Sequence, residues 1–80
     1  MNIAGVPTKL SHPLLRRVGA RLRKARLALG ISQEKLAEAV DMDRSFVSGL
    51  ERGELNISLM ALSKLAKVLN LRLSALVDGD

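Results

Sequence analysis

Between Ile31 and Gly53 the apolar positions Ile31, Leu36, Ala37, Val40, Val47 and Leu50 recur at helical intervals, and the pattern breaks once, at Asp41-Met42-Asp43. This predicts two short amphipathic helices joined by a tight turn. Helices joined so closely cross steeply, which leaves the second free to present its polar side while the first braces it from behind.

Upstream, Leu15, Val18, Leu22, Ala25 and Leu29 repeat at intervals of 3, 4, 3 and 4. They predict a longer first helix with Ser11 as its cap, Pro13 in its first turn and Gly30 at its end. Arg16, Arg17, Arg21, Arg23 and Lys24 lie off that stripe, whereas Arg26 falls at the border of the buried face and needs a partner there. The second helix takes Ser32 as its cap and Glu34 in its first turn, with Leu36, Ala37 and Val40 inward. For the third, Asp43 is the predicted cap, Phe46, Val47 and Leu50 the inner stripe, and Gly53 the end; Arg44, Ser45, Ser48, Gly49 and Arg52 face outward. Ser58 caps a fourth helix in which Leu59, Leu62, Leu65, Ala66 and Leu69 return to the core and Asn70 closes the helix. A last short helix starts at Ser74 and runs through Leu76 and Val77. The alternation Leu69-Asn70-Leu71-Arg72-Leu73 leaves an extended piece before it as the other reading. The expected architecture is all-α, a compact five-helix bundle. Residues 1–10 contain Gly5 and Pro7 and have no period, so they read as a flexible arm, and residues 11–80 as a single domain.

Composition narrows the class. Eighty residues suffice for one domain and one core. Hydrophobic residues make up 48% of the chain, which excludes disorder over its length, and Phe46 is the sole aromatic, so the core is aliphatic and helical. No apolar run approaches the roughly 18 residues needed to cross a bilayer, and no secretory stretch opens the chain. The expectation is a soluble, cytoplasmic protein with no membrane partner. Without cysteine, and with His12 alone, neither a disulfide nor a metal site is expected, and no cofactor is implied. Catalysis is poorly served: Glu34, Glu38, Asp41, Asp43, Glu51 and Glu54 occupy capping or helix-surface positions, so no enzyme is expected.

The formal charge of +5 matters less than its placement. Lys9, Arg16, Arg17, Arg21, Arg23, Lys24 and Arg26 give residues 1–33 seven bases and no acid, while the remainder carries six bases and eight acids, a net of −2. Such a field attracts polyanions and makes binding salt dependent. The other reading is a solvated basic face on the first helix.

Three segments, G-I-S-Q-E-K-L-A (Gly30 to Ala37), F-V-S-G-L-E-R-G (Phe46 to Gly53) and N-I-S-L (Asn56 to Leu59), resemble the Cro/phage-repressor (XRE-like) type of helix-turn-helix DNA-binding domain. The resemblance spans roughly residues 14–77. It implies a lambda-repressor-like five-helix fold that acts as a transcriptional regulator, binding double-stranded DNA at a palindromic operator as a dimer with its third helix in the major groove. Carried over by position, Gln33 meets the DNA backbone and supports the first recognition residue. Arg44 and Ser45 open the recognition set, Ser48 and Gly49 follow, and Arg52 lies nearer a phosphate than a base. Glu51 is implied to pair with Arg26 as a structural ion pair. Asn56 matches a phosphate-contacting loop residue, or else caps its loop. Chemistry agrees: an arginine donates two hydrogen bonds to guanine O6 and N7, and small residues at Ser48 and Gly49 let the helix backbone approach the groove floor. Phe46 either joins the core or touches a thymine methyl.

The fourth helix carries a wide apolar face that continues into Leu71, Leu73, Leu76 and Val77. These four are the expected interface of a homodimer formed by the fifth helix and the end of the fourth. Two other functions fit the same features: the antitoxin of a toxin–antitoxin pair, with a toxin as partner, and the controller protein of a restriction–modification system. The exposed acids and the basic first helix are also surfaces open to RNA polymerase.

Overall fold

The computed structural model describes residues 12–79, so Ser11 and the arm at residues 1–10 lie outside the described residues. Five helices follow one another: α1 (Pro13–Ala28), α2 (Gln33–Ala39), α3 (Arg44–Glu51), α4 (Leu59–Val68) and α5 (Leu73–Val77). Among the described residues there is no strand, and the segment before α5 is not extended pairing but a turn.

Side chains start most of these helices. Ser32 Oγ accepts from the Lys35 amide at 3.0 Å and Ser58 Oγ from the Ala61 amide at 3.1 Å, each satisfying an orphan donor of the first turn. The N-cap of α1 is His12 rather than Ser11, its Nδ1 accepting from the Leu14 amide at 3.1 Å. Asp43 occupies the N-cap of α3 without a side-chain cap hydrogen bond, so its contribution is confined to its charge at the positive end of the helix. Helix α5 begins one residue before Ser74 and has Arg72 at its N-cap.

The first four helices end alike. In each, the residue after the C-cap is left-handed (Gly30 φ 71°, Asp41 φ 57°, Gly53 φ 74°, Asn70 φ 58°). The next amide then reaches back to the carbonyl of the third-last helical residue: Ile31 to Arg26, Met42 to Ala37, Glu54 to Gly49 and Leu71 to Ala66. This is the Schellman pattern, which satisfies orphan carbonyls and turns the chain sharply.

Val18, Leu22, Leu36, Ala37, Val40, Val47, Leu50, Leu62, Leu65, Ala66, Leu69 and Leu76 form one core to which all five helices contribute. Helix α1 packs on both α3 and α5. Its crossing with α3 depends on Gly19: a Cβ there would lie 2.2 Å from the Leu50 carbonyl oxygen and 2.8 Å from that of Glu51. Only hydrogen fits between these backbones.

Three sequence expectations change. Leu29 is 51% exposed, because it is the C-cap of α1 and the chain reverses at Gly30, so Ile31 supplies the apolar side chain there. Leu59 is 70% exposed at the first position of α4, where Leu55 and Ile57 from the preceding loop pack against the core instead. Leu76 is 0% exposed, while Leu71, Leu73 and Val77 pack against the core, so the face assigned to a dimer is largely used within the chain; Leu76 leaves that list.

Candidate nucleic-acid interface

Helix α3 has two faces because its apolar residues repeat over one turn. Val47 and Leu50 are buried and Phe46 is half-buried against the core, settling Phe46 as a packing residue in the free protein. Opposite them, Arg44, Ser45 and Arg52 are exposed and Ser48 is half-buried. With α2 packed behind it, α3 offers a rigid polar ridge bearing two guanidinium groups and two hydroxyls, the donor set that reads base edges and phosphates.

Gly49 does not belong to that ridge. It is buried, and a Cβ on it would meet Leu55 Cδ1 at 2.5 Å. Its smallness makes room for the loop that follows α3, not for DNA. Asn56 is exposed in that same loop.

Beneath the ridge lies a buried polar cluster. Arg26, 7% exposed, donates from Nε to Glu51 Oε2 at 2.7 Å and from Nη2 to Glu51 Oε1 at 3.1 Å, a bidentate pair. Its Nη1 donates to the Ile31 carbonyl at 2.8 Å. Gln33 Nε2 donates to Glu51 Oε1 at 3.0 Å, so the first residue of α2 is tied to the last residue of α3 through one carboxylate. No buried side-chain nitrogen or oxygen among the described residues lacks a partner. The hydrogen bonding of Arg26 to the Glu51 carboxylate, more than the charge of that carboxylate, raises the Arg26 pKa above the usual arginine value against the opposing effect of burial.

The basic residues of α1 are not all turned towards solvent. Arg21 Nη1 donates to the carbonyls of Ala75 and Asp78, binding α1 to the end of α5, and the Arg17 guanidinium lies near Gly79. Together with Arg26, a good part of the basic stretch is spent on holding helices together. Arg23 and Lys24 remain exposed.

Sequence reasoning missed Gly19, Leu55 and the anchoring of Gln33. A glycine inside an otherwise regular helix was the available signal for the first, since it costs about 0.5–1 kcal/mol relative to alanine and needs a packing reason. Among the described residues no helix is long and apolar enough to cross a membrane, and no three His, Cys, Asp or Glu side chains converge as a metal site.

Helix α2, the turn and α3 thus constitute a helix-turn-helix unit whose second helix is exposed along its polar face. The chain belongs to the helix-turn-helix family of DNA-binding transcriptional regulators, the family model matching residues 22–76. Control protein C.BamHI of Bacillus amyloliquefaciens is 39% identical over 61 residues, 75% of this chain and 75% of that protein. The solved restriction–modification controller protein C.AhdI from Aeromonas hydrophila superposes with a TM-score of 0.74 and 47% identity over 78% of this chain and 94% of its own. SinR, a master regulator for biofilm formation solved in complex with DNA, gives a TM-score of 0.72 and 32% identity over 76% of this chain and 98% of its own.

Proposed function

We propose that this cytoplasmic protein binds a palindromic operator as a homodimer, laying α3 in the major groove, and that it is a controller of restriction–modification genes. The exposed face of α3, with Arg44, Ser45, Ser48 and Arg52 above a buried base, carries the groove reading. The likeness to C.BamHI and C.AhdI supports the controller role. Arg44 is the base reader, bidentate to a guanine, with Ser45 beside it. Arg52, Gln33 and Asn56 serve the phosphate backbone. The protein acts by binding, not by catalysis.

Selection of bound sequences from random duplex DNA, repeated with Arg44→Ala, tests the groove reading. Wild type is expected to enrich a palindrome containing guanine, and the mutant to lose about 1–3 kcal/mol of discrimination at that guanine alone. Binding that is uniform across sequences and disappears with salt would remove α3 as a reader.

The two-fold contact is placed at the start of α4. Leu59 and Met60 are 70% and 73% exposed and adjacent, and α4 has no acid in its first turn. A second copy seated there would cover the most exposed large apolar pair among the described residues, and reading a palindrome in successive major grooves requires its α3 to lie one DNA turn from the first, about 34 Å. Met60→Glu is expected to give a monomer by sedimentation at about tens of micromolar, with its helical content unchanged, where wild type is a dimer. A monomeric wild type under those conditions would refute the placement.

A further inference from the structure

Glu54 breaks a rule that the other helix ends obey. At the position following the left-handed residue, α1, α2 and α4 place Ile31, Met42 and Leu71, each packed against the core. Helix α3 places a carboxylate there. The core-filling role passes to Leu55, which covers Gly49. Glu54 is meanwhile fixed by its own backbone, its amide donating to the Gly49 carbonyl at 3.1 Å.

From that fixed point the Glu54 side chain turns back onto α3. Its Oε1 accepts from Arg52 Nε at 3.0 Å, and Arg52 Nη1 donates to Ser48 Oγ, so the guanidinium is tethered from both sides along the polar ridge. Arg52 and Glu54 side chains are 56% and 46% exposed. An ion pair so open to water adds little to folding stability. Its location therefore calls for another explanation.

We propose that Glu54 is a specificity-determining residue: by holding Arg52 against Ser48, it withholds that cation from DNA of arbitrary sequence. The inference rests on the reading that α3 faces DNA. Attraction between a guanidinium and phosphate is blind to sequence, and in sequence-independent binding there is no fixed pose, so each cation contributes by swinging to the nearest phosphate. The two tethers oppose that swing, and the carboxylate offsets the charge. At an operator, base contacts from Arg44 and Ser45 at the other end of α3 fix the pose, and a pre-positioned Arg52 makes the contact that pose offers. Restraint thus weakens arbitrary binding more than operator binding, and specificity is the difference between the two.

The test compares wild type, Glu54→Gln, Arg52→Ala and the double variant on a random-sequence duplex and on the duplex selected by wild type, over a series of salt concentrations. Glutamine keeps an oxygen acceptor for Arg52 and removes the charge. Glu54→Gln is expected to bind the random duplex about three- to fivefold more tightly near 50 mM salt, with the slope of log K against log salt steeper by about 0.9. Affinity for the selected duplex rises by less, so the ratio of the two falls, and in the Arg52→Ala background the substitution has no comparable effect. An equal gain with and without Arg52 would make Glu54 a plain surface charge and overturn the proposal. An unchanged ratio, or weaker binding of both duplexes, would overturn it as well. Failure of the groove reading is seen separately, as a wild type with no preferred sequence and no effect of Arg44→Ala, and the random-duplex arm still decides the coupling of Glu54 to Arg52.

Discussion

Glu51→Ala is expected to melt at least about 12 °C below wild type, and further below it than Arg44→Ala does. The substitution leaves Arg26, 7% exposed, with the Ile31 carbonyl as its remaining hydrogen-bond acceptor and no counter-charge. Breaking a buried pair in this way costs about 3–5 kcal/mol, and in a domain of this size each kcal/mol moves the midpoint by about 4–8 °C. Arg26 cannot escape by losing its proton: the raise that Glu51 gives its pKa in wild type is gone from the variant, but the ordinary arginine value already lies far above neutrality. The sign follows: a pKa raised on folding gives stability that is fully present below the unfolded value and fades only as the pH climbs through the folded one. Near neutral pH Arg26 therefore adds no pH dependence. Gln33 loses its acceptor at the same time, so the side-chain tie between α2 and α3 is lost as well. Arg44 is exposed, and its removal leaves no buried charge behind. Thermal melts of the two variants, read by circular dichroism, check the order; equal or reversed shifts would show that the pair carries no stability.

Gly19→Ala is the second large effect, and two opposing quantities decide its sign. Alanine gains about 0.5–1 kcal/mol over glycine inside a helix. Against that, the new Cβ would stand 2.2 Å from the Leu50 carbonyl oxygen, and the obstacle is the backbone of α3 rather than the tip of a flexible side chain. Overpacking of this kind costs about 1–3 kcal/mol and here falls at the upper end, since two helices must part. The net loss is about 2 kcal/mol, a drop of about 8–16 °C in midpoint by the same scaling. Chemical denaturation gives the free energy directly. A neutral or stabilised Gly19→Ala would mean that α1 and α3 do not meet as closely as described. Because α1 is displaced against the helix that carries Arg44 and Arg52, the variant is also expected to lose DNA affinity at temperatures where it remains folded.

Much of this arrangement is written in local chemistry. Ser32 and Ser58 announce their helices because a hydroxyl three residues before a free amide can cap it, and Gly30 and Gly53 announce the ends because a left-handed residue is needed there. Arg26 stands out as a charge at the edge of an apolar stripe, while the identity of its partner came from the family resemblance. What periodicity does not reveal is which end of a stripe is covered. Leu29 and Leu59 sit on the helical repeat yet are exposed, since neighbouring loop residues Ile31, Leu55 and Ile57 reach the core by a shorter path. Leu76 shows the converse, a residue near the end of the chain that α1 buries completely. In the interface, the direction of Arg44, Ser45 and Arg52 is readable from the repeat on α3. The burial of Gly49 is not, because it depends on Leu55 folding back from outside the helix.

The four matching helix ends carry a consequence for how the chain acquires its shape. Each corner is closed by hydrogen bonds spanning at most five residues, from Ile31 to Arg26 and likewise at Met42, Glu54 and Leu71. The route of the backbone is therefore largely specified before any distant pair of side chains meets, and little loop-closure entropy opposes the search. Proteins dominated by such short-range contacts form in microseconds to milliseconds. Refolding of a single chain is thus expected within that range, which leaves the meeting of two copies, rather than the folding of each, as the slower step towards an operator-binding dimer.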